Sequence, residues 1–335
     1  MASAVLPLSG LQLGVETTKG TAVATTRELY PSPTGYLDPG FLISRHEGAQ
    51  RGTFTNVTHA TLIGHAPTIG FSSEPSHGLT FDEIPIILSQ LKAGLTGTGA
   101  GADKAWTVAK AGAATATWDT YTLNAFSDTQ AYEFDYGFMT EFGISAGFDD
   151  LTQWSCSWVG QQLSKVTADV VAANNAVKIP SGLWTVKYAS AQSGLTGASA
   201  FSNTMRSWSL DVQTPQFPRR YGTGSLAFGQ GVASRNLTGT LTMTWDDTTD
   251  TVAQYDLYAA QTVAFIRLQA TGPALGGTTY IAGPFDFAVI WDPITPLASE
   301  SEGVMETTLV GHLVYDATWA ASIDLSATCS IAALP

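Results

Sequence analysis

The first residues whose types and spacing could do chemistry are Gly14 and Gly20 in GVETTKGTAV, separated by five residues as in a phosphate-binding loop, with Lys19 and Thr21 beside them. A P-loop needs its lysine after the second glycine, at the start of a helix, so that backbone N–H groups cradle the phosphates and the amine reaches over them. Here Lys19 precedes Gly20, and the following TAVATTRELYPSPTGY is β-branched and broken by Pro31 and Pro33. Such a segment cannot hold a helix, so nucleotide chemistry is not expected there.

Gly143-Ile144-Ser145-Ala146-Gly147 fits G-x-S-x-G, the nucleophile elbow of α/β-hydrolases. That motif needs a strand before its serine and a helix after it. FDDLTQWSCSW follows instead and alternates like another strand, so GISAG reads as a hairpin turn. His46, His59, His65, His77 and His312 show no metal-ligand spacing. Asp246, Asp247 and Asp250 lack the glycine and terminal glutamate of a calcium loop and read as helix-capping acids. Cys156 and Cys329 are too few for a disulfide framework or a four-cysteine zinc site, and read as buried free thiols. No nucleophile, base and oxyanion set can be assembled, so the expectation is a protein that is not an enzyme and uses no cofactor or metal.

The elements that carry these residues are set by composition and pattern. Of 335 residues 44% are hydrophobic and only 13% charged, about half the charge of a typical soluble domain. Burial in subunit interfaces accounts for such a surface, as does a neutral Thr/Ser/Gly-rich β surface. A formal charge of −13 argues against gripping nucleic acid through its phosphates. MASAVLPLSG lacks the basic region of a signal peptide, and no long apolar run is present, so the chain is expected to be made in a cytoplasm and to touch no membrane.

Short period-two runs such as TATWDTYTLNAF, YEFDYGFMTEFGIS, LTQWSCSWVG, NLTGTLTMTW and FDFAVIW predict a mainly β fold. Two helices are expected. TFDEIPIILSQLKAG has a Thr80–Glu83 capping box, an Ile84, Ile87, Leu88, Leu91 stripe and Gly94 to end it. DDTTDTVAQYDLYAAQT puts Val252, Tyr255 and Ala259 on one face.

The order around the helices repeats, with a strand before each, three strands after it, and Val159-Gly160 and Val310-Gly311 at equivalent steps. Two tandem β-sandwich or half-barrel units, each with one packed helix, are therefore expected: an extended N-terminal arm over 1–40, a first unit over 41–170 and a second over 171–335. Each unit carries a long loop. These loops are locally basic, through Arg45 and Arg51 in the first and Arg219 and Arg220 in the second, and read either as solvated segments or as docking loops for an acidic neighbour.

Gly14-Val15-Glu16-Thr17-Thr18-Lys19-Gly20-Thr21-Ala22, with its Pro-rich continuation and the strands beyond, resembles the start of major tail tube proteins of long-tailed bacteriophages. The resemblance implies tail-tube-like β domains and a structural role in the virion, assembled in the host cytoplasm. Two domains per chain imply homotrimeric, pseudo-sixfold rings that stack into a tube. The implied partners are tape measure, terminator and baseplate or tip proteins, and double-stranded DNA that passes an acidic or neutral lumen without specific binding. Gly14, Glu16, Gly20 and Thr21 are then elements of the arm, and Arg45, Arg51, Phe217, Arg219, Arg220 and Tyr221 are inter-ring contacts. The alternatives are a secreted or surface carbohydrate-binding β-sandwich using some of the nine tryptophans, and a capsid decoration or head-tail connector protein.

Overall fold

The computed structural model describes residues 10–29, 36–47, 57–65, 67–73, 76–92, 94–99, 103–109, 118–126, 130–147, 150–167, 169, 171, 177–201, 205–220, 228–232, 237–246, 249–295, 299–301 and 303–335. From the N-terminus, β1 (Gly10–Val15), β2 (Arg27–Leu29) and β3 (Tyr36–Asp38) precede a hairpin of β4 (Phe41–Glu47) and β5 (Val57–His65). Then β6 (Thr68–Ser72) leads into helix α1 (Ile84–Ser89). After it come β7 (Lys104–Ala109), β8 (Tyr121–Phe126), β9 (Ala131–Ala146), β10 (Gln153–Val159) and β11 (Leu163–Val166). The second half has β12 (Trp184–Ala189), β13 (Met205–Gln213), a hairpin of β14 (Gln216–Arg220) and β15 (Phe228–Val232), β16 (Thr238–Asp246) and helix α2 (Thr249–Ala259). It ends with β17 (Ala264–Leu275), β18 (Thr278–Trp291), β19 (Ser299–Ser301), β20 (Val304–Leu313) and β21 (Ile323–Cys329).

The fold is mainly β, as the alternating runs require, and its strands pair in antiparallel fashion. Two long strands organise it. The start of β9 pairs with β8 and β11, and its end pairs with β10. The start of β18 pairs with β17 and β21, and its end with β20. Outward from these, β1 lies on β8 as β12 lies on β17. Likewise β6 lies on β10 and β3 on β6, as β16 lies on β20 and β13 on β16. The hairpin β4–β5 stands between β3 and β6, and the hairpin β14–β15 between β13 and β16.

One sheet runs through the chain in the order β3-β6-β10-β9-β13-β16-β20 and ends, on the far side of β20, at β19 and the last residues of β18. It consists of two strand quartets joined at one seam, where Glu141–Ala146 of β9 pairs with Trp208–Gln213 of β13. The inner face of that sheet packs Ile69, Phe71, Trp154, Met139, Ile144, Leu210, Leu241, Met243 and Leu309 into a single apolar cluster that spans both halves. The halves are therefore not two separate cores.

Glycine makes room for an aromatic ring in each half. A Cβ on Gly160 would fall 2.6 Å from the Phe134 ring of β9, and one on Gly311 would fall 2.7 Å from the Trp291 ring of β18. The first of this pair follows β10 and meets the start of β9, whereas the second lies inside β20 and meets the last residue of β18, so the Val-Gly steps are not at equivalent places in the fold.

The expected N-terminal arm is a different element from residue 10 onward. Gly10–Val15 alternates and is paired on both edges, with β2 and with β8, in the place that β12 occupies in the second half. The apolar Leu11 and Leu13 are buried there, which an arm lying on a surface would not require. The two long loops are β-hairpins instead, because GFLIS/VTHATLIG and QFPRR/FGQGV can each satisfy their backbone by pairing with themselves.

Helix α1 forms where the sequence places it but is shorter than expected: Glu83 is its N-cap and Gln90, not Gly94, its C-cap. The Thr80 backbone N–H and hydroxyl donate to Glu83 Oε2 at 2.9 and 3.0 Å, which is the glutamate half of the expected box, but no side chain caps the helix itself; Gly94, at φ +61°, turns the chain four residues beyond Gln90. Every residue of α1 is buried. Helix α2 departs from expectation: Val252 is 54% exposed and Tyr255 40%, while Thr251 and Gln254 face the core. Gln254 Oε1 accepts from Trp291 Nε1 at 3.1 Å, and Leu257 and Tyr258 pack against the core, so the buried side is not the stripe of Val252, Tyr255 and Ala259.

Candidate functional site

The face of the seam-spanning sheet turned away from the core is built by strand alternation. Cross-strand registry lines up Ser72, Ser155, Gly143, Asp211, Thr240 and His312 in one row. A parallel row holds Gln153, Ser145, Ser209, Thr242 and Val310. Hydroxyls meet across strands, as in Thr244 and Thr308 with 3.2 Å between oxygens. The surface is hydroxyl-rich, and around the seam it forms a hollow of about 630 Å³ lined by residues including Ser155, Glu141, Asp211, Gln213, Thr240 and His312.

Its charge is acidic and locally balanced. Arg206 sits at a bulge of β13, where its Nε lies 2.7 Å from Asp246 Oδ1 and 2.8 Å from Glu306 Oε1. Asp246 is therefore engaged with Arg206 and is the last residue of β16, which corrects its reading as a helix cap. Glu141 accepts from Ser157 Oγ at 2.8 Å, and burial, reinforced by nearby Glu141, pushes the Asp211 carboxyl above its ordinary value. His312 Nε2 lies 3.1 Å from Asp292 Oδ2. Among the described residues no cluster of three or more His, Cys, Asp or Glu side chains is placed to hold a metal ion.

No protein-family model and no curated protein matches this chain.

Gly143–Ser145 lies inside β9, paired with both β10 and β13, so Ser145 is an in-strand hydroxyl on this polar face. The geometry excludes both a nucleophile elbow and the expected hairpin turn. Gly143 is needed for another reason: a Cβ there would meet Asp211 Oδ1 at 2.7 Å and Ser155 Oγ at 2.9 Å, so its absence lets these side chains approach across the seam. Of the nine tryptophans, all except Trp319 are buried. Cys156 and Cys329 are buried free thiols, as expected, and burial raises both above the ordinary thiol value.

GVETTKGTAV is organised by its own carboxylate. Buried Glu16 accepts at Oε2 from Gly20 N at 2.8 Å and Thr120 Oγ1 at 2.7 Å, and at Oε1 from Tyr136 N at 2.8 Å and Thr122 Oγ1 at 3.3 Å. Gly20 has φ +71°, and a Cβ there would fall 2.7 Å from the Tyr136 ring. Gly14 lies in β1, where the chain folds back close over it: a Cβ would sit 2.7 Å from Ala24 O. Thr21 N closes the turn onto Thr18 O at 3.0 Å. Sequence reading missed the role of Glu16; the signal was an acid between two glycines with no lysine placed for a ligand.

From this turn Lys19 Nζ donates to Gln230 Oε1 at 2.5 Å on β15. Gln230 Nε2 donates to Gln216 Oε1, and Gln216 Nε2 donates to Gln90 O at 2.8 Å. Gln90 Oε1 accepts from Met139 N at 2.9 Å. This relay ties the first half to the base of the β14–β15 hairpin. The hairpin carries Phe217, 36% exposed, with Arg219 and Arg220 next to it; Tyr221 and Arg51 lie outside the described residues. Arg45 lies on β4, opposite Ala60. The structure thus puts Arg45 and Arg219/Arg220 on corresponding hairpins without bringing them together at one site.

Close to Glu16, the carboxyl of Asp135 is pushed up to about 6, first by burial and further by Glu16 and Glu133, against the lowering effect of Gln162 N–H. Because its folded-state value is raised, the protonated form favours folding, and this contribution is lost as pH rises through about 6. Asp135→Asn keeps the acceptor for Gln162 N and is expected to raise stability at pH 8 by roughly 1 kcal/mol after solvent screening, with little effect at pH 4. Thermal melts at the two pH values check this; equal shifts at both would contradict it.

Proposed function

We propose that this protein is a ring-forming structural subunit of a hollow tube, the major tail tube protein of a long-tailed bacteriophage. The observation that carries this reading is the sheet of two equivalent strand quartets. Inside the chain, one quartet adds to the next through the β9–β13 seam. Among the described residues, β3 pairs only with β6, and β19 only with β20, so the sheet has an open edge at each end. Open edges invite pairing with another chain, and a pairing that repeats the internal seam closes a ring with no edges left. Three chains give six quartets in the proposed pseudo-sixfold ring.

The hydroxyl-rich face then lines the lumen. Double-stranded DNA carries about one charge per 1.7 Å of axis, so a basic wall would bind it and stall its passage. Hydroxyls offer weak contacts, Arg206 is neutralised by two carboxylates, and Glu141 and Asp211 repel phosphate. DNA slides along such a wall. The glycan-binding alternative needs some of the nine tryptophans to be accessible, and burial of eight of them leaves no observation that favours it.

Negative-stain microscopy of the purified protein tests the proposal: rings or hollow tubes are expected, and a monodisperse monomer at high concentration would overturn it. The hairpins are assigned to contacts between stacked rings. Reversing Arg219 and Arg220 to Glu is expected to leave rings intact and to shorten or abolish tubes. Tubes of normal length from that variant would remove the hairpin assignment while leaving the ring.

A further inference from the structure

We infer that the exposed stripe of α2, Val252, Tyr255 and Ala259, is a docking surface for the β11 side of a second copy of this chain. The inference rests on the ring proposed above and names a contact within it.

Helix α1 shows what a covered helix requires in this fold. Its body packs on β21 and on β7. Just before it, Asp82 accepts from Ser330 N at 3.0 Å and Ser330 Oγ at 2.8 Å, immediately beyond β21. Just after it, Gln90 accepts from Gln216 of the second half. Both ends of α1 are therefore held by the second half of the chain, and the whole helix is buried.

Helix α2 holds the same place in the second half, between β16 and β17 as α1 lies between β6 and β8. Among the described residues, nothing in its own chain covers it in the same way. The strand β7 lies in the link between α1 and β8, whereas the link from α2 to β17, residues 260–263, has no strand. The counterpart of β21 in the first half is β11, since each pairs with the start of its long strand. Repeating the seam between chains brings the first half of the next copy against the second half of this one, and with it β11 towards α2.

Chemistry at the two surfaces agrees. Helix α2 reads TDTVAQYDLYA, with two aspartates and no basic residue, and Asp256 is exposed beside Tyr255. Strand β11 reads LSKV, with exposed Lys165 and no acid. An apolar stripe edged by acid faces a short strand edged by a cation, which fixes orientation as well as contact. Aromatic side chains such as Tyr255 are those that lose most when an interface core is truncated.

The test uses the full chain with Tyr255→Cys, Lys165→Cys and the double variant, since both native thiols are buried and add little background. Size exclusion and microscopy separate assembled from monomeric fractions, and each is treated with a short bis-maleimide. The double variant is expected to give a ladder of linked chains in the assembled fraction, the single variants none. Labelling of Tyr255→Cys by a monofunctional maleimide should be at least about tenfold slower in rings than in monomer, as for a side chain in an interface core. A folded Tyr255→Cys chain that stays monomeric while Lys165→Cys assembles would support the assignment as well. Rings that form normally with no ladder and an unprotected thiol at position 255 would overturn the docking assignment and leave the ring reading standing. Absence of any assembly by the unmodified protein would overturn both.

Discussion

Glu16→Ala is expected to destabilise the protein by at least about 3 kcal/mol, because four donors that now end on one buried carboxylate lose their acceptor together. Two of those donors are backbone N–H groups, which cannot turn towards another partner. One of them belongs to Tyr136, a non-glycine residue at φ 54° where β9 passes from one set of partners to the other. A left-handed residue of this type persists only when its surroundings hold it. Glu16 is what holds it, so the loss is expected to loosen the crossing of β9 as well as the turn at Gly20. Glu16→Gln keeps the shape and one acceptor oxygen but turns an amide N–H₂ towards donors, and is expected to fall between wild type and Ala. Urea unfolding of the three proteins measures this; a loss below about 1 kcal/mol for Ala would show that water replaces the carboxylate without cost.

The second large effect is expected at Arg267. Its Nε and Nη2 donate to the two oxygens of buried Asp286 at 2.6 and 2.8 Å, and Gln192 Nε2 adds a bond at 3.1 Å. The pair sits in a charged row across the sheet: Lys187 is registered with Arg267, Arg267 with Asp286, and Asp286 with Asp324. The bond to Asp286 raises Arg267 above its ordinary value, while burial and then Asp286 raise the carboxyl of Asp324. Arg267→Met leaves an unpaired carboxylate in the interior and is expected to cost about 3–5 kcal/mol. The double variant Arg267→Met/Asp286→Leu removes both charges and is expected to recover most of that loss. A double variant no more stable than Arg267→Met would show that the contribution is packing by the arginine stem and not charge.

Neither site is legible from its own stretch of sequence, whereas the strands and helices around them are. Period-two runs and the Thr80–Glu83 pair are local signals; the strands appear where the pattern places them, and the pair forms just before a helix that ends short of Gly94. YEFDYGFMTEFGIS reads as one strand and is one, but nothing local reveals that β9 serves two sets of neighbours. The rotation of α2 departs from the expected stripe: Gln254 is buried against Trp291, thirty-seven residues away, with Leu257 and Tyr258 packed against the core. GISAG reads as a turn because glycine is common in turns; in the fold Gly143 makes room for side chains from two other strands. The first β strand is hidden in a stretch whose prolines, Pro7 before it and Pro31, Pro33 and Pro39 after it, all fall outside the strand. Of the candidate site, the acidic and hydroxyl composition is visible in the sequence. Its collection on one face depends on registers within each half and on the β9–β13 seam that joins them.

Because β9 and β13 belong to one polypeptide, every second joint in a ring closed through the free edges is already made when the chain folds. Such a ring contains an even number of quartets, and gaining or losing one chain changes its circumference by two quartets at a time. The permitted diameters are therefore widely spaced, and a ring of the wrong size differs from the right one by a third of its wall when three chains are used. In the proposed ring, covalent linkage of the quartets would act as a coarse gauge for its diameter.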